Sequence, residues 1–177
     1  MNNNQNCAKY SLAIQSLQVR HPFDAVLFSS LVRKFNHHGK SAERAVLVTN
    51  NFVCKLDVEK FKLMKGGQPL TKLAGISVSS GNDSLAILHF GTGNDLVFYI
   101  EESTQRDNRI AELVGILVTH CRREYGKDVH VIAEPNLHCD LGSKRYAISV
   151  RENSDHPMPI FKRSGPVIQL LWPTAAY

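Results

Sequence analysis

Residues 107–126 read DNRIAELVGILVTHCRREYG and carry the strongest periodic pattern in the chain. Their apolar side chains recur at helical spacing, which predicts one continuous stripe along a helix of about five turns. The stripe consists of Ile110, Leu113, Val114, Leu117, Val118, Cys121 and Tyr125. Asp107 or Asn108 can cap the start of this helix, and Gly126 can adopt the left-handed conformation that ends it. Because a helix with one apolar stripe must bury it against another layer, we expect this helix to pack on a sheet.

The segments before this helix have the pattern of short strands. We predict strands at residues 26–35, 44–49, 52–56, 58–65, 70–79, 85–90 and 95–100. Residue types typical of turns separate several of them, at Asn50–Asn51, Gly66–Pro69, Gly81–Asp83 and Gly91–Asn94. Short strands at this spacing favour an antiparallel barrel or sandwich over a parallel sheet.

Both ends of the chain are expected to add to this module. Residues 7–19 predict a short amphipathic helix that His21 and Pro22 stop. After the long helix, residues 129–133 and 145–150 alternate like a hairpin joined through Leu141–Gly142, and prolines interrupt the remaining tail. We therefore expect an N-terminal helix and linker at residues 1–25, a core at 26–126, and a C-terminal β extension of the same domain at 127–177.

Composition excludes several classes of protein. Of the 177 residues, 43% are hydrophobic and 21% are charged, which is ordinary globular usage. The longest uncharged apolar run, Leu113–Val118, is far shorter than the roughly 20 residues of a membrane-spanning helix. The polar start of the chain lacks the pattern of a secretory signal, and the four cysteines show no CxxC spacing. Free thiols in a reducing cytosol are the simplest interpretation.

We expect neither a cofactor nor a metal site. The pairs His120–Cys121 and His138–Cys139 contain metal-ligating residue types, but they lack the tight spacing of structural zinc ligands. Cys121 also belongs to the apolar stripe of the long helix, so burial explains it better than metal binding does.

The net charge of +5 is distributed unevenly along the chain. Residues 33–72 hold nine basic and three acidic side chains, whereas residues 73–112 hold two basic and six acidic ones. A concentrated basic segment suits binding to the phosphates of lipid or nucleic acid, and a solvated strand face is the structural alternative. The acidic segment and the lack of an aromatic stacking platform argue against nucleic acid.

Several short motifs between Glu43 and Phe90, taken in order, resemble the tail homology 1 domain of class I myosins. The matching residues are Leu47-Val48-Thr49, Leu56-Asp57, Pro69-Leu70, Gly75-Ile76-Ser77-Val78-Ser79 and Leu88-His89-Phe90. Residues 107–126 resemble the C-terminal helix of the short-tailed myosin-Id and myosin-Ig types. The resemblance runs over residues 26–150. It implies a mainly β fold with helices (α+β), a pleckstrin-homology-like antiparallel barrel or sandwich that the amphipathic helix closes.

The resemblance also implies a function. Such tails bind anionic phospholipids, especially phosphoinositides, and link an actin-based motor to the plasma membrane and the cell cortex. Through the full-length protein, we expect actin filaments and calmodulin-type light chains as further partners. We expect this segment to be a cytoplasmic monomer without catalytic activity of its own. A protein-interaction module with the same fold and no specific lipid binding is the alternative interpretation.

The basic signature of that family places a Lys late in strand one and a basic-x-Arg pattern on strand two. Lys34 and Arg44 match this signature, whereas Ala42 occupies the middle basic position. The lipid-binding residues predicted from the sequence are Arg33, Lys34, His38, Lys40, Arg44 and Lys55. We expect Lys40 to reach the same phosphates from a flexible loop. The five Lys and Arg side chains together would contribute roughly 4–5 kcal/mol near an anionic leaflet.

The same loop contains His37 and His38. Protonation of exposed histidines at mildly acidic pH would strengthen their attraction to anionic lipid. The alternative is that both are ordinary loop residues.

Overall fold

The structure is a computed structural model that describes residues 3–60, 62–64, 66–91, 94–100 and 108–174, with side chains from residue 10 onward. Two helices and twelve strands lie in this part of the chain. In chain order they are α1 (Asn3–Arg20), β1 (Val26–Phe35), β2 (Ser41–Thr49), β3 (Phe52–Leu56), β4 (Gln68–Pro69), β5 (Gly75–Ser79), β6 (Leu85–His89), β7 (Leu96–Tyr99), α2 (Arg109–Tyr125), β8 (His130–Glu134), β9 (Asn136–Leu141), β10 (Lys144–Asn153), β11 (Ile160–Ser164) and β12 (Val167–Pro173).

The strands form two sheets. The first sheet has eight strands in the order β4-β3-β2-β1-β7-β6-β5-β8, and all of its neighbouring strands are antiparallel except β5 and β8. The second sheet has four strands in the order β11-β12-β10-β9. The mainly β architecture with helices that the sequence predicts is therefore confirmed.

Helix α2 covers one face of the first sheet, as its periodicity predicts. Leu113, Leu117 and Cys121 have no exposed surface, and they belong to one apolar cluster with side chains of β1, β2, β5, β6 and β7. The side chain of Asn108 accepts a hydrogen bond from the backbone N–H of Ala111, so Asn108 caps the start of the helix. Gly126 ends it with a left-handed φ of 59°. The other predicted cap, Asp107, lies outside the described residues.

The second sheet packs on the opposite face of the first. A second apolar cluster joins side chains of β1, β6 and β7 to side chains of all four strands of the second sheet. Its members are Phe35, Leu85, Ile87, Val97, Tyr99, Leu137, Cys139, Leu141, Tyr146, Ile148, Phe161, Ile168 and Leu170. Strands β6 and β7 are thus covered on both faces, which explains their continuous apolar sequence in place of an alternating one.

Helix α1 covers another part of that same face. Leu17 and Phe23 are buried in a third apolar cluster with Leu47 of β2 and Cys54 of β3. Leu47 points away from its neighbours Val46 and Val48, which belong to the cluster beneath α2, since successive side chains of a strand alternate between faces. The first sheet is therefore the middle layer of the molecule.

One strand prediction is wrong, and another is confirmed only in part. Residues 58–60 form a turn in place of a strand, because the Asp57 side chain accepts hydrogen bonds from the backbone N–H groups of Glu59 and Lys60. Phe61 and Lys65, from the same predicted strand, lie outside the described residues. The predicted strand at 70–79 begins with a 3-10 turn at Leu70–Lys72, and only Gly75–Ser79 is extended.

The predicted pairing of the strands in the C-terminal hairpin is also wrong. Strand β8 belongs to the first sheet, where it pairs in parallel with β5. The hairpin partner of β10 is β9. Prolines interrupt the tail after it, as predicted, since Pro157 and Pro159 lie in the segment between β10 and β11. Pro166 lies in the turn between β11 and β12, and Pro173 is the last residue of β12. Both are positions at which the missing N–H of proline is tolerated.

Candidate anion-binding site

Three of the predicted cations project from one face of the β1–β2–β3 meander. Lys34 follows the buried Val32 at a spacing of two residues, so it lies on the face of the first sheet that α2 covers. Arg44 and Lys55 share this face, since each is two residues from a buried member of the same cluster, Val46 and Val53. We call Lys34, Arg44 and Lys55 the basic mouth.

The strand register places these cations near one another. Lys34 is paired with Ala42, and Val32 is paired with Arg44, so Lys34 and Arg44 are diagonal neighbours. Diagonal neighbours across an antiparallel pair are about 7–8 Å apart, a distance that one phosphorylated headgroup can bridge with long side chains. Ala42 places only a methyl group opposite Lys34. The position at which the family signature carries another cation therefore adds no charge to the mouth.

A carboxylate borders the basic mouth. The pKa of Asp57 is lowered, first by the hydrogen bond from the Lys60 backbone N–H and then by the N–H of Glu59 and the positive charges of Arg44 and Lys60. Asp57 is therefore ionised and offsets part of the positive charge beside Arg44. Lys34 is held in place from its own strand, since its Nζ donates a 2.9 Å hydrogen bond to the carbonyl oxygen of Phe35.

Arg33 lies on the other face of the first sheet. It is paired with Glu43 of β2 and with Tyr99 of β7, and Tyr99 belongs to the cluster beneath the second sheet. The structure therefore does not bring Arg33 together with Lys34 and Arg44. The alternation of side chains along a strand is the signal that separates these two neighbours in sequence.

The loop between β1 and β2 forms a hydrogen-bonded turn. The Asn36 side chain accepts hydrogen bonds from the backbone N–H groups of His38 and Lys40, at 2.9 and 3.2 Å. Gly39 donates its N–H to the Asn36 carbonyl oxygen and has a φ of 78°, a conformation that favours glycine. His38 and Lys40 are exposed, and the rings of His37 and His38 lie with their centroids 3.7 Å apart and their planes tilted by 43°.

Sequence reasoning missed a cation from the second sheet that contacts this loop. Arg163 of β11 donates a 3.0 Å hydrogen bond from a guanidinium nitrogen to the carbonyl oxygen of His37. The two residues are 126 positions apart in sequence. Nothing in the local pattern around Arg163 indicates this contact.

A hydrogen-bonded chain of Ser77, His89 and Asp95 lies between β5 and β7. Ser77 Oγ is 2.8 Å from His89 Nε2, and His89 Nδ1 is 2.9 Å from Asp95 Oδ2. This order of groups is that of a hydrolytic triad, but Ser77 is buried in the middle of a strand. Asp95 also accepts the backbone N–H of Asp140 at 2.8 Å, so the chain of bonds ties the first sheet to β9.

Two other lysines of the basic segment lie away from the basic mouth. Lys60 and Lys62, together with Arg20, line a cleft of about 440 Å³ between α1 and the turn after β3.

Within the described ranges, no three His, Cys, Asp or Glu side chains are grouped in a way that could hold a metal ion. In the same part of the chain, neither helix combines the length and the hydropathy needed to cross a membrane.

The fold and the basic mouth define a pleckstrin-homology-like domain with a candidate anion-binding face. Among solved structures, the chain is similar to the hSac2 domain from the human phosphoinositide phosphatase Sac2, with a TM-score of 0.51 and 14% identity. The match covers 75% of this chain and 91% of that one. At this level of identity the similarity supports the fold alone.

The chain belongs to a myosin family: it matches the model described as "Unconventional myosin tail, actin- and lipid-binding" over residues 1–168. It is 37% identical to mouse unconventional myosin-Ig over 162 residues and 35% identical to Drosophila melanogaster unconventional myosin ID over 175 residues. These matches cover 91% and 93% of this chain but only 16% and 17% of the relatives. The chain thus corresponds to the tail homology 1 domain of a class I myosin and spans about a sixth of the length of these relatives.

Proposed function

We propose that this domain binds anionic phospholipids, with phosphoinositides as its preferred ligands, through the basic mouth and the β1–β2 loop. The convergence of Lys34 and Arg44 on one face at the loop end of the β1–β2 hairpin carries this proposal. The description of the family as lipid-binding supports it. The hSac2 domain supports it only through its fold.

The side chains can bind a phosphorylated headgroup in complementary ways. The guanidinium of Arg44 offers two parallel N–H donors to one phosphate, whereas Lys34 and Lys55 act as point charges. With about 1 kcal/mol from each of these three and from Lys40, the attraction is about 4 kcal/mol, which corresponds to a Kd on the order of 1 mM. Such a weak, salt-sensitive contact becomes effective when several tails engage one membrane. Because Ala42 stands where the family signature has a cation, the site lacks one donor. We therefore expect the domain to be attracted to anionic lipid in general and to discriminate less well among headgroups.

For the whole protein, we propose that the tail links an actin-based, ATP-driven motor to the plasma membrane and the cell cortex. Its further partners would be actin filaments and, along the region between motor and tail, calmodulin-type light chains. We propose that the domain is a cytoplasmic monomer in which residues 26–126 form the core, residues 1–25 supply a helix and linker, and residues 127–177 form an extension of the same folded unit.

The test is co-sedimentation of the 177-residue chain with vesicles. Phosphatidylcholine vesicles are compared with vesicles that also contain phosphatidylserine or a phosphoinositide. Lys34→Ala and Arg44→Ala should each weaken binding to the anionic vesicles about fivefold, the equivalent of about 1 kcal/mol. The matched control is Arg151→Ala, which removes the same charge from an exposed position on β10 and should bind as the wild type does. Unchanged binding in both mouth variants would exclude these residues from the site.

Strand β8 favours a second candidate function, the docking of another protein. It is the last strand of the first sheet, and all five of its residues are exposed, including Val131 and Ile132. An exposed edge strand can pair with an extended segment of a partner through its backbone. Capture of a purified partner by a chain that binds no anionic vesicle would favour this function over lipid binding.

A further inference from the structure

The contact between β11 and the β1–β2 loop is closer than its single hydrogen bond indicates. A Cβ atom placed on Gly39 would lie 3.2 Å from Cζ and 3.3 Å from Nε of Arg163. The guanidinium therefore lies directly against the backbone of the loop at the position where φ is 78°. The backbone conformation favours glycine at position 39, and a Cβ atom there would also make the guanidinium of Arg163 shift by a few tenths of an ångström.

Arg163 is itself fixed from the second sheet. It lies on the same side of β11 as Phe161, which is buried in the cluster between the two sheets, and Lys162 lies on the opposite side. The guanidinium of Arg163 also lies 5.9 Å from the centroid of the Tyr146 ring of β10, within the range of a cation–π contact. Because the packing of Phe161 sets the position of β11, the loop and the second sheet are coupled mechanically.

Arg163 also places a positive charge beside the β1–β2 loop. In the part of the chain that the structure describes, its hydrogen bond to His37 uses one of the five N–H donors of a guanidinium, and the residue is exposed. The next residue after Gly39 is Lys40, whose Cα lies about 3.8 Å further along the chain. An arginine and a lysine so close together can both contact one phosphate group.

We propose that Arg163 makes the C-terminal extension a functional part of the anion-binding end of the domain. It is a positioning residue that holds the β1–β2 loop in its ordered turn, and with Lys40 it binds a phosphate group of a membrane lipid. This inference rests on the proposed function, which it extends from the basic mouth to the second sheet.

Hydrogen–deuterium exchange of the free 177-residue chain tests the positioning role without any lipid. In Arg163→Ala and Arg163→Lys, the amides of residues 36–40 should exchange at least several-fold faster than in the wild type, because neither variant keeps the guanidinium against Gly39. Lys162→Ala is the matched control, since it removes a charge from the adjacent residue on the other side of β11. Unchanged loop exchange in Arg163→Ala would overturn the positioning role. Circular dichroism confirms that each variant is folded.

Vesicle binding tests the charge and the geometry separately. Arg163→Ala should weaken binding to phosphoinositide vesicles about fivefold or more, and Lys162→Ala less than twofold. Gly39→Ala removes no charge but strains the loop and crowds Arg163, so it should also weaken binding. Equal losses in Arg163→Ala and Lys162→Ala, or wild-type binding by Gly39→Ala, would overturn the proposal.

A third experiment asks whether the site binds the phosphate of a membrane lipid or that of a soluble headgroup. It measures how strongly each ligand protects the loop amides of the wild type from hydrogen–deuterium exchange. Protection by phosphoinositide vesicles but not by soluble inositol trisphosphate supports a site that reads the membrane surface. Protection by both supports recognition of the phosphate groups themselves, and protection by neither overturns the binding role of Arg163. A wild type that binds no anionic vesicle, while its loop order still depends on Arg163, would refute the proposed function and leave the positioning role intact.

Discussion

Replacement of Ile168 by alanine should destabilise both sheets together. Ile168 of β12 has no exposed surface and lies in the cluster that joins the second sheet to β1, β6 and β7. Truncation of a fully buried Ile to Ala costs about 2–5 kcal/mol, from lost burial and from the cavity left behind. Total stabilities of domains are about 5–15 kcal/mol, so this loss is a large fraction of the whole. We expect the change to act on the first sheet as strongly as on the second, because β6 and β7 are covered on both faces.

Urea unfolding with two signals measures this effect. Trp172 is the one tryptophan of the chain, and its ring meets the ring of Tyr99 edge-on at a centroid distance of 5.5 Å. Tryptophan fluorescence therefore reports the contact between the sheets, and far-ultraviolet circular dichroism reports the whole chain. For a slope of about 2 kcal/mol per molar urea, both midpoints should fall by about 1–2.5 M in Ile168→Ala. The two transitions should coincide in the wild type and in the variant.

The matched control is the neighbouring residue on the same strand. Val167 is 38% exposed, so Val167→Ala should change the free energy of unfolding by no more than about 0.5 kcal/mol. The reasoning is refuted if the fluorescence transition of Ile168→Ala moves to lower urea while the circular dichroism transition stays with the wild type. That result would mean that residues 127–177 unfold as a separate unit.

Three further outcomes are expected. Asn108→Ala removes the N-cap of α2 and should lower the free energy of unfolding by about 1 kcal/mol, measured by urea titration; no change would mean that water replaces the cap. Burial raises the pKa of the Cys54 thiol to about 11 and that of Cys139 to about 12, so iodoacetamide at pH 8 should modify them only after unfolding, and rapid labelling of the folded chain in peptide mass spectrometry would contradict this. The pKa of Asp57 is lowered mainly by the Lys60 N–H, so its charge stabilises the fold above the unfolded pKa of about 3.9 and ceases to do so as the pH falls through the folded value. The stability difference between wild type and Asp57→Asn should therefore shrink between pH 6 and pH 3, and a constant difference would show that the charge contributes nothing.

The elements that the sequence predicted well are those with a strong local pattern. Strand β1 has the predicted bounds, and α2 buries the predicted stripe between an Asn108 cap and Gly126. The wrong predictions fall where one local signal has two interpretations. Residues 58–65 alternate like a strand, but the hydrogen bonds of Asp57 to the following backbone form a turn.

The candidate site divides in the same way. Motif and alternation together select Lys34 and Arg44 and place them on one face of the hairpin. The same alternation could have separated Arg33 from them. No local pattern indicates Arg163, because its contact with the loop joins residues 126 positions apart.

By itself, the sequence determined the family, the mainly β character, the long capped helix and the basic segment, because motif order, periodicity and charge are properties of neighbouring residues. Only the tertiary structure decided that β8 pairs in parallel with β5, that the first sheet is covered on both faces, and that β11 brings Arg163 to the loop. These contacts join segments that are far apart in sequence. They form because each layer buries apolar surface that the others leave exposed, and that requirement belongs to the assembled fold and not to any one stretch of the chain.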